Sequence, residues 1–275
     1  MKRYILILTV LFLTFCACNN HNGHKENVTV IPNDVFLKET NDGSKTTKQI
    51  LDEFSESVLE LVRVDTTDYF YGENVIEDDS AFRQILVGKF IDQTKIIATE
   101  INIKDSVINF YLLDNENWKL IGSEKTNIPI YRIDFEDLDG DNRSEIITSS
   151  NRNMNGNTWQ EVYYCSSQSN TIHYAGSYST EYVIKKDKKQ IEETYEGSSY
   201  MNASKTLYEW KQEKLVPIRQ IILAQDQSAA ESGNIIFEYY ENSTNDIEGL
   251  KLKFKEPYDD NKKQKELWDN FFNKQ

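Results

Sequence analysis

Cysteine, histidine and proline are the scarce residues of this 275-residue chain, which holds three Cys, three His and four Pro. Two of the cysteines, Cys16 and Cys18, stand at the end of the N-terminal apolar run and just after it, so no disulfide framework can staple the fold. The length is enough to bury a core without one, as one good-sized domain or two small ones. Only His173 lies beyond the polar N-terminal stretch, and no GxSxG elbow occurs. A Ser-His-Asp hydrolase would therefore have a single candidate base. Positive charge is also short: 31 Lys and Arg against 45 Asp and Glu give a net charge of −14. That balance argues against a phosphate-backbone partner, and so against nucleic acid. It suits cations or a basic protein partner, and much of it is a solubilising coat. Scarce proline beside 16 Tyr, 13 Phe and 4 Trp describes a folded, β-rich protein rather than a disordered one.

Long apolar runs are absent after the opening "MKRYILILTVLFLTFCACNN". Lys2 and Arg3 precede an apolar stretch from Tyr4 to Ala17, shorter than the roughly 20 residues of a membrane span. It reads as a secretory signal. Its ending, "FCAC", resembles the lipobox of bacterial lipoproteins, with Ala17 before Cys18. That resemblance implies cleavage after residue 17 and acylation of Cys18, palmitate being the expected chain type. Loss of Lys2 and Arg3 leaves the mature chain more negative still. The polar stretch that follows, with His21 and His24, reads as a flexible tether. The expected organisation is signal peptide 1–17, tether 18–45 and a single β-rich domain 46–275. The expected place is the bacterial cell envelope, with a lipid anchor at the outer membrane.

"TKQILDEFSESVLELV" sets Ile50, Leu51, Phe54, Val58, Leu61 and Val62 on one stripe and predicts a helix over 47–62. "KKQKELWDNFFNKQ" predicts a second short helix, with Leu267, Trp268, Phe271 and Phe272 facing the core. Between them twelve short runs, from "QILVGKFI" to "LVPIRQIIL", read as strands. Turn signals such as Asp114-Asn115 and Asn155-Gly156 separate them. The fold class expected is mainly β, with propeller-like or barrel-like antiparallel sheets and a short helix at each end. A faint repeat of roughly 50 residues lays Ile96-Ile97 over Ile146-Ile147. Cys165, in "EVYYCSSQ", reads as a small buried hydrophobe with no basic partner in view.

"DLDGDNRSE" holds the densest negative charge. Asp137, Asp139, Asp141 and Glu145 stand at positions 1, 3, 5 and 9, with the backbone carbonyl of Arg143 at position 7. Carboxylates at alternate positions can curl around one hard cation such as Ca²⁺, which takes 6–8 oxygen ligands. Without an ion, four such groups repel one another and hold their protons more tightly. Gly140 relieves crowding and Asn142 tolerates a left-handed turn. An EF-hand needs an acidic residue at position 12, which here is Thr148, and flanking helices rather than strands. The loop resembles the "DxDGDxxxE" loop of FG-GAP and VCBS-type repeats, with Asn142 in place of the usual glycine. The resemblance implies a structural Ca²⁺ site between two strands of a blade.

A longer likeness covers roughly Gln84 to Leu223. Asp187, Lys189, Ile191, Gly197, Tyr208, Trp210, Lys214, Leu215, Val216 and Ile218 match two consecutive hairpins of small bacterial periplasmic lipoproteins with one acidic loop. Glu213 stands where that family usually has glycine. The resemblance implies a calcium-binding, β-propeller-like protein, and some members are linked to lysozyme inhibition. No inhibitory residue transfers to a position here. The function expected is a non-enzymatic, lipid-anchored binding or inhibitor-like module. Its partner would be a basic, lysozyme-like envelope protein or a glycan, met through the Asn151–Gln160 loop and Trp159. The alternative is a periplasmic hydrolase acting on an envelope substrate through His173.

Overall fold

The computed structural model describes residues 38–40, 47–52, 71–78, 81–89, 91–92, 94–102, 106–154, 156–179, 181–197, 202–225, 235–242, 249–259 and 262–273. Every described residue belongs to one compact unit, Ile31–Gln275. The signal, Cys16, Cys18, His21, His24 and the predicted helix beyond Asp52 lie outside the described residues. Among the described residues no helix is long and apolar enough to cross a membrane.

Three sheets follow one another along the chain. The first orders its strands β1 (Lys38–Thr40), β2 (Tyr71–Asp78), β3 (Ala81–Gly88), β4 (Ile97–Asn102), β5 (Val107–Asp114) and β6 (Asn117–Lys125). The second runs β10 (Ile172–Ser179), β9 (Trp159–Cys165), β8 (Glu145–Ser149), β7 (Arg132–Glu136). The third runs β11 (Glu181–Lys185), β12 (Gln190–Tyr195), β13 (Ala203–Lys211), β14 (Lys214–Gln225), β15 (Ile235–Glu241), β16 (Lys251–Pro257). All neighbours are antiparallel except the β1–β2 pair. Each sheet is an open meander whose last strand does not return to its first, so the barrel-like alternative is not what forms. The twelve strands expected from period-two patterning are β3 to β14. Patterning missed β2, β15 and β16; β16 is exposed along its whole length, and its two apolar side chains, Leu252 and Phe254, make too short an alternation to mark it. Lys38–Thr40, within the stretch read as tether, pairs with β2.

Helix α1 (Thr47–Asp52) covers the first sheet, and its Leu51 is 1% exposed among Ile85, Val87, Ala98 and Trp118. The Trp118 indole N–H donates to the Leu51 carbonyl at 3.2 Å. Helix α2 (Lys262–Asp269) and the 3₁₀ turn Phe271–Asn273 cover the third sheet, with Leu267, Trp268, Phe271 and Phe272 against Leu207, Ile221 and Phe237. The predicted C-terminal stripe is thus core. The middle sheet is buried on both faces. Ile133, Ile146, Tyr163 and Cys165 pack on the first sheet, while Ile147, Val162, Tyr164 and Tyr178 pack toward the third. This double burial explains why "EVYYC" lacks a clean polar alternation.

Two glycines set how closely the sheets approach. A Cβ on Gly122 would lie 2.2 Å from the Ile172 carbonyl oxygen, and one on Gly176 would lie 2.9 Å from the Leu215 Cβ. The first links β6 to β10, the second β10 to β14.

The sheets share one polar device. In the first, Glu100 pairs across from Asn109, and Tyr111, two residues on, donates its hydroxyl to Glu100 at 3.1 Å. In the third, Glu193 pairs across from Thr206, and Tyr208 donates to Glu193 at 2.7 Å. In the second, the pair is Thr148 with Glu161, the acid moved to the other strand, and Tyr163 donates to Glu161 at 3.0 Å. Each of these carboxylates is nearly buried, at 4%, 7% and 2% exposure, and hydrogen bonds make such burial tolerable. Glu100 therefore corresponds to Thr148, which shifts the sequence overlay of Ile96-Ile97 on Ile146-Ile147 by two residues. The repeat is carried by polar registers that an apolar alignment does not detect.

Candidate metal centre

The acidic loop joins β7 to β8. Its backbone turns through Gly140 at φ +78° and Asn142 at φ +66°, the left-handed values that favour these two residue types. Leu138 points inward, fully buried between the second and third sheets, and fixes the loop on the core. With Leu138 inward, its flanking carboxylates are gathered. One oxygen each from Asp137, Asp139 and Glu145 lies within 4.8 Å of the others. Asp139 is 6% exposed and Glu145 2%.

Backbone donors hold these side chains in place. Asp137 accepts from the N–H groups of Gly140 at 2.7 Å and Asn142 at 3.3 Å. Glu145 Oε2 accepts from Leu138 N–H at 2.7 Å, and Asp139 Oδ1 from Asp141 N–H at 3.1 Å. The sequence placed Asp141 in the ligand set, but its Oδ1 accepts from Arg143 N–H at 2.8 Å, and Asp141 is not one of the three gathered groups. The Arg143 guanidinium turns away, its Nε 3.9 Å from Asp92 Oδ2 in the loop before β4. Lys189 reaches from the third sheet to Asp139 Oδ2 at 3.3 Å. Asp139 is thus tied to the sheet next door.

The electrostatics match. Burial first, then the charges of Asp139, Asp141 and Asp137, push the Glu145 carboxyl up to about 8. Asp141 is raised for the same reasons, burial leading. The Tyr164 hydroxyl is pushed up to about 12 by burial and then by Asp141, Asp139 and Glu145. The donor set fits a hard divalent cation: ligand oxygens about 2.4 Å from an ion lie up to about 5 Å apart across it. Asp137, Asp139 and Glu145 would hold the ion, which would neutralise their repulsion and clamp the loop. In a calcium titration, Asp139→Asn and Glu145→Gln should abolish binding. Asp141→Asn should keep it within about tenfold, since that carboxylate is not one of the three gathered groups. Equal loss in all three variants would count against this ligand set.

Cys165 is buried, and burial raises its thiol despite the nearby charges of Arg143 and Lys95. These basic neighbours come from distant loops, and for that reason sequence reading missed them. His173 is half-buried, with Nε2 3.9 Å from Glu213 Oε2. Glu213 also accepts from the Ser166 hydroxyl at 2.8 Å. Gln212 and Glu213 form a turn with φ of +49° and +65°, which accounts for the glycine usual at the second position. Trp159 opens β9 at the far end of β8 from the acidic loop. Its side chain is half-buried at a cleft between the second and third sheets.

No protein-family model matches the chain, and no curated protein matches it. Among solved structures it is similar to a Xanthomonas type IV secretion system related protein, with 12% identity and a TM-score of 0.35 over 70% of this chain and 95% of that one.

Proposed function

We propose that the chain is a non-enzymatic binding module of the bacterial envelope, lipid-anchored through Cys18, in which calcium braces the second and third sheets. The observation that carries this reading is the gathering of Asp137, Asp139 and Glu145, two of them buried, on a loop seated against the next sheet. A catalytic ion would need an open position and a neighbouring acid or base. Here Lys189 already faces Asp139 at 3.3 Å. The repeated strand order and carboxylate–tyrosine registers support a propeller-like array of β3–β6, β7–β10 and β11–β14. Inhibitor-like action on a basic, lysozyme-like protein fits the strong negative charge of the chain.

The hydrolase reading draws on Ser166, Glu213 and His173, which lie together. Their order is wrong for nucleophile activation. Glu213 stands between serine and imidazole, whereas the base must itself hold the nucleophile. The test is binding of the full chain to purified lysozyme by calorimetry, with calcium and with chelator. Binding expected at micromolar strength or tighter should fade when calcium is removed. Turnover of peptidoglycan or an ester, lost in His173→Ala, would favour the enzyme instead.

A further inference from the structure

The cleft beside Trp159 has a volume of about 540 Å³ and lies between the second and third sheets. Its wall includes Ser177, Tyr178 and Ser179 of β10, and its floor comes from interior strands of the third sheet. Ser204, Thr206 and Tyr208 alternate along β13 and so share one face. No basic residue is among the described residues that line it, so nothing there would hold an anion.

The polar groups are arranged for hydroxyls. Glu193 is buried, and its two oxygens each already accept one bond, from Ser179 N–H at 2.7 Å and from the Tyr208 hydroxyl at 2.7 Å. A carboxylate offers about four acceptor positions, so further donors can be taken, and such charge-assisted bonds are the stronger kind. Gln220 donates its Nε2 to Thr206 at 3.1 Å, which leaves its carbonyl oxygen to accept. Asn202 accepts from Gln225 N–H through Oδ1, which leaves its amide N–H groups to donate. The Ser179 hydroxyl is buried and has no partner among the described residues. Such an orphan calls for a water or a ligand. The rings of Trp159 and Tyr195 supply flat apolar faces beside these groups.

We propose that this cleft binds a neutral, hydroxyl-rich oligosaccharide. The claim rests on the binding-module reading and names a ligand class for a second place on it, remote from the calcium loop along β8. A peptide added as a strand needs an open sheet edge; the floor strands β12, β13 and β14 are each paired on both sides, and the wall strand β10, although at the edge of the second sheet, has its Ser179 N–H already given to Glu193.

The experiment is calorimetric titration of the full chain, calcium-loaded, with chitohexaose, maltohexaose and cellohexaose, and with a heparin-derived hexasaccharide as the anionic control. At least one neutral probe should bind with Kd below about 1 mM. Trp159→Ala and Gln220→Ala should each weaken it about tenfold while the calcium-induced rise in melting temperature stays as in the parent. Failure of all three neutral probes, binding of the anionic one alone, or binding that survives both substitutions would overturn the proposal. So would displacement of the sugar by a peptide that binds tighter at the same residues. If calcium still stabilises the chain and lysozyme still binds, the module reading stands while the glycan site falls.

Discussion

Calcium should stabilise this protein more at pH 8 than at pH 5.5, and the effect of Glu145→Gln on melting temperature should change sign between chelator and calcium. Glu145 in the folded, metal-free chain holds its proton up to about 8, against an ordinary value of 4.5. The folded state therefore binds more protons than the unfolded one across this window. The contribution of this group is fully present below about pH 4.5 and is lost as pH rises through about 8. The loss is on the order of 4 kcal/mol for a group this deeply buried. A divalent ion in the loop would need the ionised form and would repay its burial, so ion binding strengthens as pH rises over the same range. At saturation near 100 Kd the gain is about 2.7 kcal/mol, or roughly 5–10 °C in melting temperature for a domain of this size. Glutamine keeps an acceptor for Leu138 N–H without the charge. With chelator at pH 8 the variant should melt higher than the parent; with millimolar calcium it should melt lower. Differential scanning calorimetry at the two pH values measures both. Superimposable melts with calcium and with chelator at pH 8 would remove the reason for so acidic a loop.

Gly122→Ala should cost more than most single substitutions here. The added Cβ would meet the Ile172 carbonyl oxygen at 2.2 Å and the Phe110 ring at 3.1 Å. The first obstacle is backbone of β10, which is fixed by its ladder to β9 and cannot rotate aside. The first and second sheets would have to separate locally, loosening the cluster of Phe110, Tyr163 and Ile172. About 3 kcal/mol or more is expected, seen as a fall of roughly 6–12 °C in melting temperature. Gly156→Ala is the control. Its added Cβ meets nothing within 4 Å, and only the left-handed φ of +83° opposes it, a penalty nearer 1 kcal/mol. Equal stability of the two variants would mean that the sheets do not approach as closely as β6 and β10 do in this structure.

Local chemistry makes several elements legible in the order of the residues. Short runs bounded by turn signals marked β3 to β14: strands with one solvated face, such as β12, alternate, and the doubly buried β8 and β9 read as short apolar runs. The stripe of Leu267, Trp268, Phe271 and Phe272 marked the C-terminal helix, because only a core-facing stripe justifies four large apolar residues in so short a segment. The spacing of Asp137, Asp139, Asp141 and Glu145 pointed to a candidate cation site, since ligands to one ion close in sequence need only a turn to meet. Beyond these, contacts between distant segments decide. Asp141 shares the spacing of its neighbours, yet it is not among the three carboxylates whose oxygens lie within 4.8 Å of one another. Lys189 is about 50 residues from Asp139 in sequence and meets it only through the packing of two sheets. The cleft around Glu193 likewise gathers residues from five strands. Amino-acid order alone thus determined β3 to β14, the end helix and the acidic turn, because each is governed by interactions within a few residues. The stacking of the sheets, the gathering of Asp137, Asp139 and Glu145 and the cleft were decided only by the tertiary structure, because burial and close approach arise between segments that the chain itself holds apart.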